Sequence, residues 1–164
     1  MLRTIGTGEM VKPTPCTEFD VAQLTDHLMN SITVIGGAVG AEFPAHGEHE
    51  SLESRVVGAG HAAVDAWRRR GLDGTVQLGP NEAPAKVMAG VLSIEFLFHA
   101  WDYAVATDHD MVASEDLCDY VLGLASTIIT PQGRTSVGFA EAIDLPAEAC
   151  PLSRLVAFTG RQPV

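Results

Sequence analysis

The chain of 164 residues sets 21 Asp and Glu against 10 Lys and Arg, giving a net charge of −11 and a pI near 4.8. Electrostatic binding to nucleic acid or to an anionic membrane does not fit this balance, because both need clustered Lys and Arg and the one basic run is Arg68 to Arg70. With 46% hydrophobic and 19% charged residues, the composition is that of one globular domain, residues 1–164, long enough to bury a core without disulfides.

The opening "MLRTIGTGEMVKPTP" has no apolar h-region, and no later stretch approaches the roughly 18 uninterrupted apolar residues of a membrane span. The expected location is the cytoplasm. Cys16, Cys118 and Cys150 are odd in number and show no CxxC spacing, which fits reduced thiols and excludes a Cys-based zinc finger.

A first helix is predicted to begin after Asp20, which caps its free amides while Gln23 completes a capping box, and to fade at "GGAVG". Leu24, His27, Leu28 and Ile35 share one of its faces. The polar loop "PAHGEHE" follows, where His46 and His49 with Glu48 or Glu50 form a possible second metal site; a solvated acidic loop is the expectation. A second helix runs from about Ser51 to Arg70 and stops at Gly71. The stretch "LDGTVQLGPNEA" reads as a connection, and Pro84 as the first residue of a third helix reaching about Thr107. Ser114 caps a fourth helix ended by Pro131. One short extended segment in "VGFAEAIDLP" and a short helix from Pro151 to Gly160 complete an all-α bundle with a small tail.

On the third helix Met88, Val91, Leu92, Glu95, His99 and Asp102 recur at three- and four-residue spacing, so polar groups lie on the face expected to point inward. A buried carboxylate without a partner costs several kcal/mol or becomes protonated. Glu95 and His99, four residues apart, aim at one point, and His27 on the first helix offers a third group. Two helices supplying His, Glu and His can build a metal site in a bundle core. Three nitrogen and oxygen ligands suit Zn²⁺, with Ni²⁺, Fe²⁺ or Mn²⁺ as alternatives, and leave an open position of the catalytic kind. Asp102 is placed to accept the second ring N–H of His99 or His27. The same spacing also describes a hydrogen-bonded Glu95–His99 pair with His27 as a satisfied core histidine, and spacing leaves both readings open.

The segments "PTPCTEFDVAQLTDHL", "EFLFHAWDYAVAT" and "LVAFTGRQP" together resemble three signatures of DinB-like metal-binding proteins, in that family's order. The branch they are most similar to is the mycothiol-dependent maleylpyruvate isomerase N-terminal domain and its stand-alone actinobacterial relatives. The resemblance implies a DinB-like four-helix bundle whose divalent metal, usually zinc, is held by His27, Glu95 and His99. It further implies a small thiol, mycothiol in actinobacteria, bound at the open metal position as thiolate and added to a small electrophile in S-transfer or thiol-assisted cis–trans isomerisation. Twelve residues precede Pro13, where the family has a full helix, so one bundle helix is expected to be shortened or absent. A neighbouring chain, as in a homodimer, or the C-terminal segment is expected to cover the face this leaves. The full-length isomerase has an additional C-terminal domain contributing to its active site, which makes maleylpyruvate isomerisation itself a poor expectation.

Cys16 stands at the family's "PC" position and is expected to close the loop as a small buried residue. Phe19, where the family often has tryptophan, and Trp101 are read as packing residues. Arg161 either marks the end of the last helix or folds back to pair with Asp102 or a substrate carboxylate, so Asp102 and Arg161 are the candidate catalytic residues. His61 and His109 receive no role. Two other functions fit the same residues: a hydrolase with metal-bound water and Glu95 or Asp102 moving protons, and a non-catalytic metal-binding module that docks a partner.

Overall fold

The computed structural model describes residues 2–45, 47, 50–135 and 138–163. His46, Glu48 and His49, and with them the possible second metal site, lie outside the described residues. The predicted helical class holds. Four longer helices, α1 (Val21–Gly37), α2 (Leu52–Arg70), α3 (Ala85–Ala106) and α4 (Glu115–Ile128), are followed by the short α5 (Pro151–Phe158). Ahead of α1 the described helical structure is a single turn, Leu2–Thr4.

Local chemistry sets the helix ends. Asp20 Oδ1 accepts from the Gln23 amide at 2.8 Å, and Gln23 Oε1 accepts from the Asp20 amide at 3.0 Å, closing the predicted capping box. Ser51 and Ser114 cap α2 and α4 by accepting from the Ser54 and Leu117 amides, and Gly71 at φ 79° ends α2 behind three arginines that favour its dipole. Near the end of α1, Gly36 permits close approach to α2: a Cβ there would lie 2.8 Å from Ala63 Cβ.

Three expectations change. The presumed connection "LDGTVQLGPNEA" contains an antiparallel hairpin, β1 (Thr75–Leu78) with β2 (Asn81–Pro84), around a Gly79–Pro80 turn. Gly79 at φ 60° supplies the first central position of a two-residue hairpin turn, while proline's fixed φ suits the second. Pro84 ends β2 and serves as the N-cap of α3, so the helix begins at Ala85, one residue after the expected start. In "VGFAEAIDLP", Gly138–Pro146 form no strand; the segment is tied to α5 by the Ile143 amide donating to Ala157 O at 2.9 Å.

The helices pack in the order α2–α1–α3–α4, with α5 against α4. One core gathers Leu24, Leu28, Ile32, Trp67 and Leu92 between α1, α2 and α3, and a second gathers Ile94, Phe98, Val121, Ala125 and Leu155 between α3, α4 and α5. Because α3 serves both, its apolar residues run round the helix rather than along one stripe. On the face bearing Ser93 and Phe96, two adjoining clefts form an apolar trough between α2 and α4, bordered by the exposed Leu72, Leu117 and Tyr120. The C-terminal helix covers α4 and not this trough.

Tyr103 pins α3 to α1. Thr25 Oγ1 donates to Val21 O at 2.8 Å, so at 2.8 Å it accepts from the buried Tyr103 hydroxyl. Burial pushes the Tyr103 phenol up to about 12, against the lowering effect of Thr25. A group whose pKa is raised by folding stabilises the fold below its unfolded value, near 10, and that contribution disappears between about 10 and 12. Spectrophotometric alkaline titration is therefore expected to show a tyrosinate phase near 12 that Tyr103→Phe removes.

Candidate metal centre

His27 projects from the second turn of α1, and Glu95 and His99 from adjacent turns of α3, where the α1–α3 contact brings them face to face. Their ligand atoms all lie within 4.8 Å of one another. Glu95 Oε2 sits 3.1 Å from His27 Nε2 and 3.5 Å from His99 Nε2, and the two imidazoles meet edge to face with centroids 5.1 Å apart. The centre is buried on the α3 side and open on the α1 side: side-chain exposure is 7% for His99, 15% for Glu95 and 36% for His27. The three residues singled out by spacing are thus brought together.

Behind His99 lies a fixed polar chain. His99 Nδ1 is 2.9 Å from Asp102 Oδ2. Arg161 grips the same carboxylate as a fork, Nε donating to Oδ1 at 2.7 Å and Nη2 to Oδ2 at 2.8 Å. Asp102 is wholly buried, and the guanidinium lies 5.9 Å from the Phe98 ring and 6.0 Å from that of Phe139. Burial works against the charge of Arg161, but the Asp102 carboxylate outweighs it and holds the pKa above the usual arginine value. Gly160 makes this return possible. Its φ is 81°, and a Cβ would lie 2.6 Å from Ala140 Cβ and 2.8 Å from Glu141 O.

This chain decides which way His99 faces. A carboxylate gripped by arginine accepts hydrogen bonds only, so the His99 Nδ1 carries a proton, and in the neutral ring Nε2 presents a lone pair to Glu95. Burial alone would raise the Glu95 pKa, but the ring nitrogens of His27 and His99 hold it well below the usual carboxylate range. Burial would likewise lower His99, and the Asp102 and Glu95 carboxylates raise it instead. Glu95 Oε2 is nonetheless buried with no hydrogen bond, although His27 Nε2 lies 3.1 Å away. When the His99 ring is neutral, its Nε2 lone pair faces the Glu95 carboxylate, and that contact needs either a proton or a cation between them. A divalent metal with nitrogen and oxygen ligands supplies the second, so the donor set fits the ion.

Phe19, expected only to pack, stacks on the His27 ring at 5.0 Å and 27°, which orients the most exposed of the three side chains. Cys16 is not among the converging ligand atoms. Its carbonyl accepts from the Phe19 amide at 2.8 Å in the loop before α1, and burial pushes its thiol pKa up, which suits a loop-closing residue better than a nucleophile. His109 joins the Leu2–Thr4 turn to the end of α3, 2.9 Å from Thr4 Oγ1. Phe98 and Phe139, flanking Arg161, carry no sequence signal of that role, since a ring beside an arginine has no spacing rule across 22 or more residues.

No family model matches the chain, and no solved structure matches it. Two uncharacterized proteins of Mycobacterium tuberculosis, one from strain CDC 1551 / Oshkosh and one from strain H37Rv, are each 26% identical to it over 163 residues, spanning 98% of this chain and 90% of their own.

Proposed function

We propose that the protein is a cytoplasmic, DinB-like metal enzyme that uses a low-molecular-weight thiol in S-transfer to, or isomerisation of, a small electrophile. The observation that carries the reading is the buried Glu95 Oε2, without a hydrogen bond, among ring nitrogens 3.1 and 3.5 Å away. His27, Glu95 and His99 would hold the metal, zinc or one of nickel, iron and manganese. When bound, such an ion lowers the pKa of a coordinated thiol, so that thiolate exists at neutral pH. The chain's own residues prepare for this: Asp102 keeps the His99 proton on Nδ1, Arg161 holds the Asp102 carboxylate in place, and Phe19 holds the His27 ring. Mycothiol is the thiol to test first, because the relatives are mycobacterial.

The hydrolase reading needs a free base beside the ligands. Asp102 has no exposed surface, and its oxygens are taken by Arg161 and His99. Glu95 is itself a ligand. Thiol chemistry, which brings its own nucleophile, asks less of these residues.

Elemental analysis of purified wild type, Glu95→Ala and His27→Ala tests the proposal. About one equivalent of metal is expected in wild type and little in either variant. Consumption of an electrophile should then require both metal and thiol. Metal with no turnover would favour a binding module, and wild type that cannot be loaded with metal would end the reading.

A further inference from the structure

Beside the metal centre, between α3, the end of α4 and the segment before α5, lies a cleft of about 140 Å³ lined by Val91, Ile94, Glu95, Ile128, Ile129 and Phe139. Glu95 belongs to both places: its Oε2 is turned to the imidazoles, and its residue forms part of the cleft wall. The five other walls are apolar. We propose that this cleft receives the apolar part of the substrate, and that the site selects an uncharged electrophile bearing a short alkyl, alkenyl or single-ring group over one bearing a carboxylate.

Size sets the first limit, since an apolar cavity of roughly 150 Å³ accommodates one benzene-sized molecule. Charge sets the second. A carboxylate placed in this cleft would lose its water against five apolar side chains with no free cation to pair it. The cation nearest in the chain of contacts is no help: Arg161 has Nε and Nη2 committed to Asp102, and the Phe139 ring that lines the cleft also lies 6.0 Å from its guanidinium. Arg134, the other buried arginine, donates to the carbonyls of Ala140 and Phe158 at 2.9 and 2.7 Å. A cationic group would lose its water in the same way, and Glu95, turned to two imidazoles, offers it little in return. An uncharged apolar group forfeits only hydration it is better without.

The inference rests on the metal reading for the place of reaction and not for the selectivity of the cleft, so the two are separable by experiment. Zinc-loaded protein is titrated with toluene, benzoate and benzylammonium while the methyl resonances of Val91, Ile94 and Ile128 are followed, and metal content is measured on the same samples. Toluene is expected to shift these methyls and to bind more tightly than either ion by about tenfold or more. Val91→Phe, which fills the cleft from a half-buried helical position, should abolish the toluene shifts and leave metal content unchanged. Ile128→Arg, at the last residue of α4 where a cation suits the dipole, should bring benzoate into the cleft. Benzoate or benzylammonium binding wild type as well as toluene, toluene shifts surviving in Val91→Phe, or no response to toluene would each overturn the proposal. Absence of metal with toluene still selected would instead sink the metal reading alone.

Discussion

Arg161→Met is expected to destabilise the protein by about 3–5 kcal/mol, because it leaves the fully buried Asp102 carboxylate without its cation. For a chain of this length that is a fall of roughly 10 °C or more in Tm. The loss should come from the stranded charge rather than from the contact itself. The double variant Asp102→Leu with Arg161→Met is therefore expected to recover much of it, as replacement of whole buried ion pairs by apolar residues often does. Arg161→Lys keeps the charge but not the fork, and should fall between. The pair also has a role beyond stability: it fixes which nitrogen of His99 is protonated. Asp102→Asn, nearly isosteric, can donate as well as accept, so the His99 proton should no longer be held on Nδ1, a change that nitrogen NMR of the imidazole reads directly. Metal affinity should drop about 10–100-fold in that variant, as for other partners of ligating histidines. A purely structural ion pair would lower Tm in Arg161→Met and leave the His99 tautomer of Asp102→Asn unmoved.

What the sequence revealed follows the range over which its signals act. Caps are local contracts, and Asp20 with Gln23, Ser114 and Gly71 stand where the spacing put them. Glu95 and His99 were legible because the helical repeat alone aims them at one point, and His27 because it interrupts an apolar face. The hairpin was hidden, since each strand has four residues and Val76 alone is deeply buried, too few for an alternating pattern. Across the chain the signal fades further. Arg161 could be matched to Asp102 by chemistry, but nothing local announces that Gly160 turns the chain into the bundle or that Phe98 and Phe139 flank the guanidinium. Periodicity reports that a face is buried and is silent about what buries it.

Adding zinc to metal-stripped protein is expected to produce the other large effect. At free zinc about a thousandfold above Kd, binding to the folded state alone contributes about 4 kcal/mol. For a chain of this size that corresponds to a rise of roughly 10 °C in Tm. Glu95→Gln keeps the size of the side chain but removes the charge that faces both imidazoles, so it should forfeit most of the gain. The size of the gain should also depend on pH, with a sign set by His99. Burial would lower its pKa, but Asp102 and Glu95 raise it in the folded, metal-free protein. That contribution is complete below the ordinary histidine value near 6.5 and is lost as pH rises through the raised one. Protons and zinc compete for the same place between His99 and Glu95. Raising the pH therefore removes the proton that substitutes for the metal, weakens the stripped protein and frees the ligands for zinc, all in one direction. The Tm gain should grow from pH 6 to pH 8 in wild type, a window over which Glu95, whose carboxyl is held below the usual range, does not change charge. A gain equal in wild type and Glu95→Gln, or one that shrinks as pH rises, would place the zinc somewhere other than among His27, Glu95 and His99.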